Sequence, residues 1–437
     1  MKKLLVAALL FPAVAGAQTQ FWTLRECIDY ALEHNLTVKQ NVIAVEQKEL
    51  DLNTAQGRRL PSLSAGASEN FSFGRGLTED NTYANTNTTS TSFSLGADLP
   101  LFNGFQINYG IKLGKLDLAA AVEDLEKIKN DIRVSVAQAY VQILYDKAIL
   151  EVSSSQVRRD SMQLARIQAM QQNGKASSAE VASQQASLAQ SRLSEVQADN
   201  NLRLALLDLS QLLELPSPEG FDVAEPDAGA LEPRLLENPE TIYSDALGVR
   251  PEIRADDIRL EYAEMNIARA KGAYLPSLNL SGGLGTNFYT TSGHQSSPFS
   301  DQVQNNFSQY IGLSLNVPIF SRFSTRNSVK SAQLSYDTQQ LQAENTRKSL
   351  YKEIQQVYYN ALASQTKMLS SREAAKSAEL SMNLTTEKYE NGKADITEYN
   401  DAKNRYLEAE SNFLQACYEC LFQTSLTDFY RGKKLDF

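Results

Sequence analysis

Histidine and cysteine are nearly absent from this 437-residue chain, with two of the former and three of the latter. So little imidazole leaves scarcely any room for a metal site or for histidine-based proton transfer. Cys27, Cys417 and Cys420 are too few for a disulfide framework. The Cys417/Cys420 pair has C-x-x-C spacing, but it sits in a helical stretch, Phe413–Leu421, with no strand or tight turn before it, unlike a redox motif. Packed core thiols are the first expectation, and a disulfide involving Cys27 is the alternative. Basic charge is in deficit as well. Forty-two Lys and Arg against 52 Asp and Glu give a net charge of −10, which argues against nucleic acid as a partner. After position 17 no apolar run approaches the length of a spanning helix. Also missing are a phosphate-binding Gly-rich loop, a transmembrane proton relay, and any Ser, His or Cys beside an activating partner. The chain therefore neither harvests energy nor resembles an exported enzyme, and no cofactor is expected. Disorder is excluded by 42% apolar and 22% charged residues, close to globular averages.

Residues 1–17 read as a signal peptide: Lys2-Lys3, an apolar stretch from Leu4 to Ala15, then Ala15-Gly16-Ala17 as an A-x-A cleavage site before Gln18. No cysteine follows the cut, so a lipid anchor is not indicated, and loss of two lysines takes the net charge from −10 to −12.

The remainder is written twice. Leu60-Pro61-Ser62-Leu63 recurs 215 positions later as Leu275-Pro276-Ser277-Leu278, and the same offset carries Ala31-Leu32 to Ala246-Leu247. Leu99-Pro100-Leu101-Phe102 recurs 218 positions later as Val317-Pro318-Ile319-Phe320; this offset also carries Tyr140 to Tyr358 and Asn173-Gly174-Lys175-Ala176 to Asn391-Gly392-Lys393-Ala394. Residues 18–215 form the first repeat, 216–239 a linker rich in Pro and acids, and 240–437 the second repeat. Each repeat reads as a helix, two strands with a long polar loop, and two long helices. Thr23–Gln56 is expected as one helix, with a Thr23/Glu26 capping box. Residues 105–172 contain no proline, and at 1.5 Å per residue such a helix runs about 100 Å. Asn173-Gly174 turns the chain into a second helix over 178–213; the second repeat gives 323–390, the Asn391-Gly392 turn and 396–429. Helices this long need partner helices along their flanks, so coiled-coil packing follows.

The strands are expected at 62–73, 92–101, 277–288 and 307–319. Phe93, Leu95, Ala97, Leu99 and Leu101 alternate with Ser92, Ser94, Gly96 and Asp98; Ile311, Leu313, Leu315 and Val317 alternate with Gly312, Ser314 and Asn316. Ten-residue segments that are apolar on one face and Ser/Asn/Gly on the other fit a membrane β-barrel with a wet lumen, although a half-buried soluble sheet also alternates. The long hairpin loops Gly74–Thr91 and Tyr289–Asn306, sparsely charged for their length, favour the barrel. Glu69 interrupts the apolar face, which places it at a barrel rim or marks a strand misregistered by one residue. Four strands cannot close a membrane barrel, and open edges are not tolerated in lipid, so the sheet must close with copies of itself. Two copies leave a lumen full of side chains, and three leave room for water. The expected fold class is mainly α with membrane β: a shared barrel continued by helices, a tube set in an outer membrane.

With these landmarks the chain resembles the TolC family of outer-membrane efflux and secretion channels. The resemblance rests on Trp22-Thr23-Leu24 with Cys27-Ile28, Ala31-Leu32 and Asn35, on Leu60-Pro61-Ser62-Leu63 and Pro100-Leu101-Phe102, and on the duplicated Asn-Gly turns. It implies a homotrimer with a twelve-stranded barrel and a long periplasmic tunnel, no catalysis, and partnership with a periplasmic adaptor protein and an inner-membrane pump. It implies that Glu398 and Asp401, six and nine positions after Gly392, form the tunnel-entrance constriction. It implies that Tyr389, three before that glycine, hydrogen-bonds to Glu180, six after Gly174, to hold the entrance shut. The family's basic residue two after the second glycine is here Ala394, with Lys393 beside it, a departure that bears on the full clamp. The turns Asn173-Gly174-Lys175 and Asn391-Gly392-Lys393 are the implied adaptor-docking tips. Drug efflux, protein secretion and metal export use the same conduit; with six methionines and two histidines a dedicated metal relay is the least supported. The alternative is a trimeric coiled-coil stalk or adhesin anchored by a barrel, which predicts strands gathered at one end of the chain rather than interrupting both repeats.

Overall fold

The computed structural model describes residues 20–77, 82–85, 87–226, 232–293 and 295–435; the expected signal peptide lies outside them. In chain order the elements are β1 (Gln20–Trp22), α1 (Leu24–His34), α2 (Leu36–Gly57), β2 (Ser62–Ser72), β3 (Arg75–Leu77), β4 (Tyr83–Asn85), β5 (Thr88–Asn103), α3 (Gln106–Gln172), α4 (Ser178–Leu212) and β6 (Phe221–Val223). There follow α5 (Pro239–Val249), α6 (Pro251–Lys271), β7 (Ser277–Thr291), α7 (Phe299–Asn305), β8 (Ser308–Asn316), α8 (Ser324–Glu390) and α9 (Ile396–Tyr430).

The single helix expected over Thr23–Gln56 is two helices. The Thr23/Glu26 capping box starts α1, but Asn35 adopts φ −58°, ψ 130°, and its Oδ1 accepts from the Thr37 amide at 2.9 Å to begin α2. A polar side chain that caps a new helix outcompetes continuation of the old one. Arg250, 215 positions on, breaks the chain in the same way before Pro251, so the interruption is itself repeated.

The chain forms two compact units, each drawing on both repeats. The first comprises the described part of Met1–Val42 with Asp124–Ile253 and Thr346–Phe437. Its core joins Leu24, Cys27, Ile28 and Ala31 of α1, Val136, Tyr140 and Leu144 of α3, Leu209 of α4, Ile242 and Ala246 of α5, and Leu350 and Ile354 of α8. Part of the expected 216–239 linker is ordered structure here, because β6 pairs in parallel with β1. The Tyr140 hydroxyl clasps that pair from beneath, 3.1 Å from the Trp22 carbonyl and 2.6 Å from that of Ala224. All three cysteines are free and buried: Cys27 is in this core, and Cys417 and Cys420 lie with Met368 and Ala416 in a second cluster.

The second unit, Ile43–Glu123 with Arg254–Asn345, holds a four-stranded antiparallel sheet in the order β2-β5-β7-β8. The repeats meet at its centre, where β5 pairs with β7 and Leu95 faces Leu284. The strand expected over 92–101 extends to Thr88–Asn103, since its first residues pair with both neighbours, while the one expected over 307–319 stops at Asn316, short of Pro318. The expected loops are not bare: β3 pairs with β4 in the first, and α7 packs within the second.

Candidate functional site

The sheet keeps its two faces in register across all four strands. One carries Leu63, Ala65 and Ala67 beside Ala97, Leu95 and Phe93, then Gly282, Leu284 and Thr286, then Ile311, Leu313 and Leu315. The other carries Ser62, Ser64, Gly66 and Ser68 beside Asp98, Gly96, Ser94 and Ser92, with Ser281, Gly283 and Gly312 beyond. The apolar face is bare: Leu63, Ile311, Leu313 and Leu315 are each 65–81% exposed. A face so apolar and so uncovered demands a partner or a membrane. Ser62, Asp98 and Asn279 of the polar face instead line an open cavity of about 1750 Å³, together with Asp51, Asp117 and Arg269 of the unit's helices.

Glu69 stands opposite Thr91 in an unbroken register from Ser62 to Ser72, which removes the misregistered-strand reading. At this level the aliphatic side chains of the face give way to Thr89, Thr91 and Thr290 interleaved with Phe71 and Phe288, as the edge of an apolar band would. At the opposite end two aromatic pairs mark the passage from strand to helix. Phe102 and Phe105 meet edge to face at 5.1 Å, and Phe320 and Phe323 at 5.7 Å, with Phe105 and Phe323 at positive φ. Phe105, Phe320 and Phe323 are exposed, and aromatics so placed at the foot of an apolar band fit the girdle of a membrane barrel. Their sequence signal was the 218-residue offset, which carries Phe105 to Phe323 as it carries Phe102 to Phe320.

The two Asn-Gly turns lie in the first unit and are built alike. Gly174 and Gly392 take φ +73° and +68°. The amides of Lys175 and Lys393 each bond, at 2.8 Å, to the carbonyl five residues back, and Asn173 and Asn391 bond through Nδ2 to the carbonyl four back. These are Schellman closures, which satisfy the orphan carbonyls of α3 and α8. Beyond the first turn Ser177 and Glu180 form a capping box; beyond the second, Asp395 Oδ1 accepts from the Glu398 amide at 2.8 Å.

The implied entrance residues take clear positions. Glu398 and Asp401 share an exposed face of α9, with the buried Ala402 on its flank and the buried Tyr399 and Lys403 on the far side. Lys388 lies 3.8 Å from Glu398, an exposed pair of small energetic weight. The Tyr389 and Tyr399 rings meet at 5.1 Å, tilted by 32°. The implied Tyr389–Glu180 bond is arranged differently. The Glu180 carboxylate takes the Ser177 amide at 2.6 Å, whereas the Tyr389 hydroxyl engages Gln163 of α3. Burial, and then the charge of Glu180, push the Tyr389 phenol above its ordinary pKa, so the two sit within electrostatic reach. Ala394 leaves the basic position empty, and Arg166 of α3 pairs with Glu390 of α8 at 2.6 Å. Sequence reading also missed a buried pair, Lys403 of α9 and Asp160 of α3, at 3.2 Å. Among the described residues no cluster of His, Cys, Asp and Glu could hold a metal.

A family model described as outer membrane efflux protein matches residues 27–214 and 242–423. The chain is 23% identical over 417 residues to the outer membrane protein OprJ of Pseudomonas aeruginosa, an alignment covering 94% of this chain and 83% of that one. It is 24% identical over 379 residues to the outer membrane protein TolC of Escherichia coli, covering 85% and 74%. The crystal structure of the outer membrane protein VceC from Vibrio cholerae superposes with a TM-score of 0.75 at 18% identity, over 94% of this chain and 96% of that one.

Proposed function

Because the chain belongs to the outer membrane efflux protein family, we propose that three copies close a single twelve-stranded barrel and continue it as a helical tunnel from the periplasm to the exterior. The protein is an outer-membrane conduit and not an enzyme; the energy for transport comes from elsewhere. One observation carries the closure. The four-stranded sheet presents an uncovered apolar face, a Ser/Asn/Gly face and, among the described residues, two unpartnered edges at β2 and β8. In lipid such edges must pair, and three copies give the smallest closure that leaves a wet lumen. Glu398 and Asp401, exposed on each α9, then stack as two rings of carboxylates that favour cations at the entrance. Tyr389, held by Gln163 and near Glu180, steadies the coil behind them. The paired turns at Gly174 and Gly392 offer tight, small-residue tips to the hairpins of a periplasmic adaptor that joins an inner-membrane pump. The test is the native mass of detergent-extracted protein. Three copies are expected, and a stable monomer or dimer that nonetheless inserts in membranes would overturn the closure.

A further inference from the structure

The basic residue missing at Ala394 in the turn has a counterpart further along, in the helix that follows it. Lys403 lies eleven positions after Gly392, on the face of α9 opposite Glu398 and Asp401. Its Nζ donates to both carboxylate oxygens of Asp160, at 3.2 and 3.4 Å, and to Ser187 Oγ at 2.6 Å. Asp160 also accepts from Ser191 Oγ and, at 3.4 Å, from Gln184 Nε2, which is 3.2 Å from the Asp160 main-chain carbonyl. The Lys403 and Asp160 side chains are 7% and 1% exposed. Three helices thus converge on one buried charge pair: α3 and α4 from the first repeat and α9 from the second. Tyr399, one turn before Lys403, is buried beside it, and its phenol is raised by burial and then by the Asp160 charge.

A buried pair of this kind contributes little net stability, but it penalises every arrangement that leaves either charge alone, and so fixes one register among packed helices. Lys403 follows Asp401 by two residues, about 3 Å of helix rise, so the pin sits directly behind the implied constriction. We propose that Lys403, through Asp160, is the positioning residue that holds the first turns of α9 and thereby sets the aperture built by Glu398 and Asp401. It supplies, from inside one protomer, the restraint that Ala394 cannot. The inference rests on the conduit reading above.

The full chain is tested in planar bilayers as wild type, Lys403→Arg, Lys403→Met and the double variant Asp160→Asn/Lys403→Met. The single Met variant strands a buried carboxylate and can fail to fold. The double variant leaves no unpaired charge, so it separates positioning from folding. Membrane-inserted at wild-type amounts, the double variant is expected to raise the ratio of conducting to non-conducting time about tenfold, equivalent to about 1.4 kcal/mol, and to lose cation selectivity. Lys403→Arg is expected to keep both near wild type. Wild-type conductance and selectivity in the double variant, even with a lowered melting temperature, would assign the pair a purely structural role and overturn the proposal. A wild type that never conducts would instead strike at the conduit reading, and the proposal would fall with it.

Discussion

Replacing Ile311 with arginine separates a membrane face from a merely exposed one. Ile311 lies on β8 opposite Gly282 and is 81% exposed in the single chain. In water, a substitution at so exposed a position changes stability by about 0.5 kcal/mol at most. In hydrocarbon, arginine on the outer face of a barrel costs about 2–4 kcal/mol at the midplane and about 0–1 near the interfaces. The apolar-face row of β7 runs from Leu278 to Phe288. Ten steps at about 3.4 Å, on strands tilted by about 40°, span about 26 Å along the barrel axis, the height of a membrane barrel's apolar band. Gly282, and with it Ile311, lies four steps in, about 10 Å from the lower edge and close to the midplane. The upper part of the range applies, and three copies multiply it to about 6–12 kcal/mol, comparable to the whole stability of a typical fold. Ser314→Arg, on the polar face opposite Asn279, is the control and is expected to stay near wild type. The assay is the urea midpoint of protein folded into lipid vesicles, followed by far-ultraviolet circular dichroism. An Ile311→Arg midpoint equal to wild type, or a larger loss in Ser314→Arg, would refute the assignment of faces.

Three further outcomes follow from the first unit and its turns. Burial, helped by the charge of Glu26, pushes the Cys27 thiol up to about 12. Alkylation at pH 8.5 should therefore label Cys27 only after denaturation, and equal labelling of native protein would contradict the packing. Because that folded value exceeds the unfolded one of about 8.5, the thiol's contribution to stability is complete below pH 8.5 or so and declines as pH rises toward 12. Tyr140→Phe removes the hydroxyl partner of the Ala224 carbonyl, while the Trp22 carbonyl keeps the Ala224 amide at 2.9 Å, and is expected to cost about 1–3 kcal/mol by thermal unfolding; an unchanged melting temperature would discount the clasp. Gly392→Ala forces a side chain into φ +68° and should destabilise by about 1–2 kcal/mol, whereas Gly248→Ala, within α5 with open space at its Cβ, should stabilise by about 0.5–1 kcal/mol. Equal effects at the two glycines would show that the turn conformation carries no strain.

Much of the architecture was legible because it is periodic. Alternation in Ser92–Leu101 and the offsets of 215 and 218 residues need only local chemistry, and the sheet order then follows from matching apolar faces. What stayed hidden depends on competition or on distance. The break at Asn35 is a contest between one helix and the cap of the next, and nothing in the apolar spacing of Leu24, Ile28 and Ala31 announces the winner. The pairing of β1 with β6 joins residues some 200 apart, and its only forewarning was Phe221-Asp222-Val223 inside an otherwise linker-like stretch. Of the proposed entrance residues, Glu398 and Asp401 could be placed on one face by their spacing alone. The Tyr389 partner could not: Gln163 lies on a helix whose rotation is set by tertiary packing. Lys403 left a faint trace, a cation four residues after Tyr399 on the stripe that later carries Phe413, Cys417 and Cys420, but its acid lies 243 residues away.

A water-filled passage with the proposed carboxylate-lined entrance is tested most directly by the reversal potential across a planar bilayer under a salt gradient. Purified wild-type protein should conduct with cation selectivity, and Glu398→Ala/Asp401→Ala should lower that selectivity while remaining inserted and trimeric. Conductance that ignores the double substitution would remove these residues from the constriction, and an inserted trimer that never conducts would contradict the passage itself.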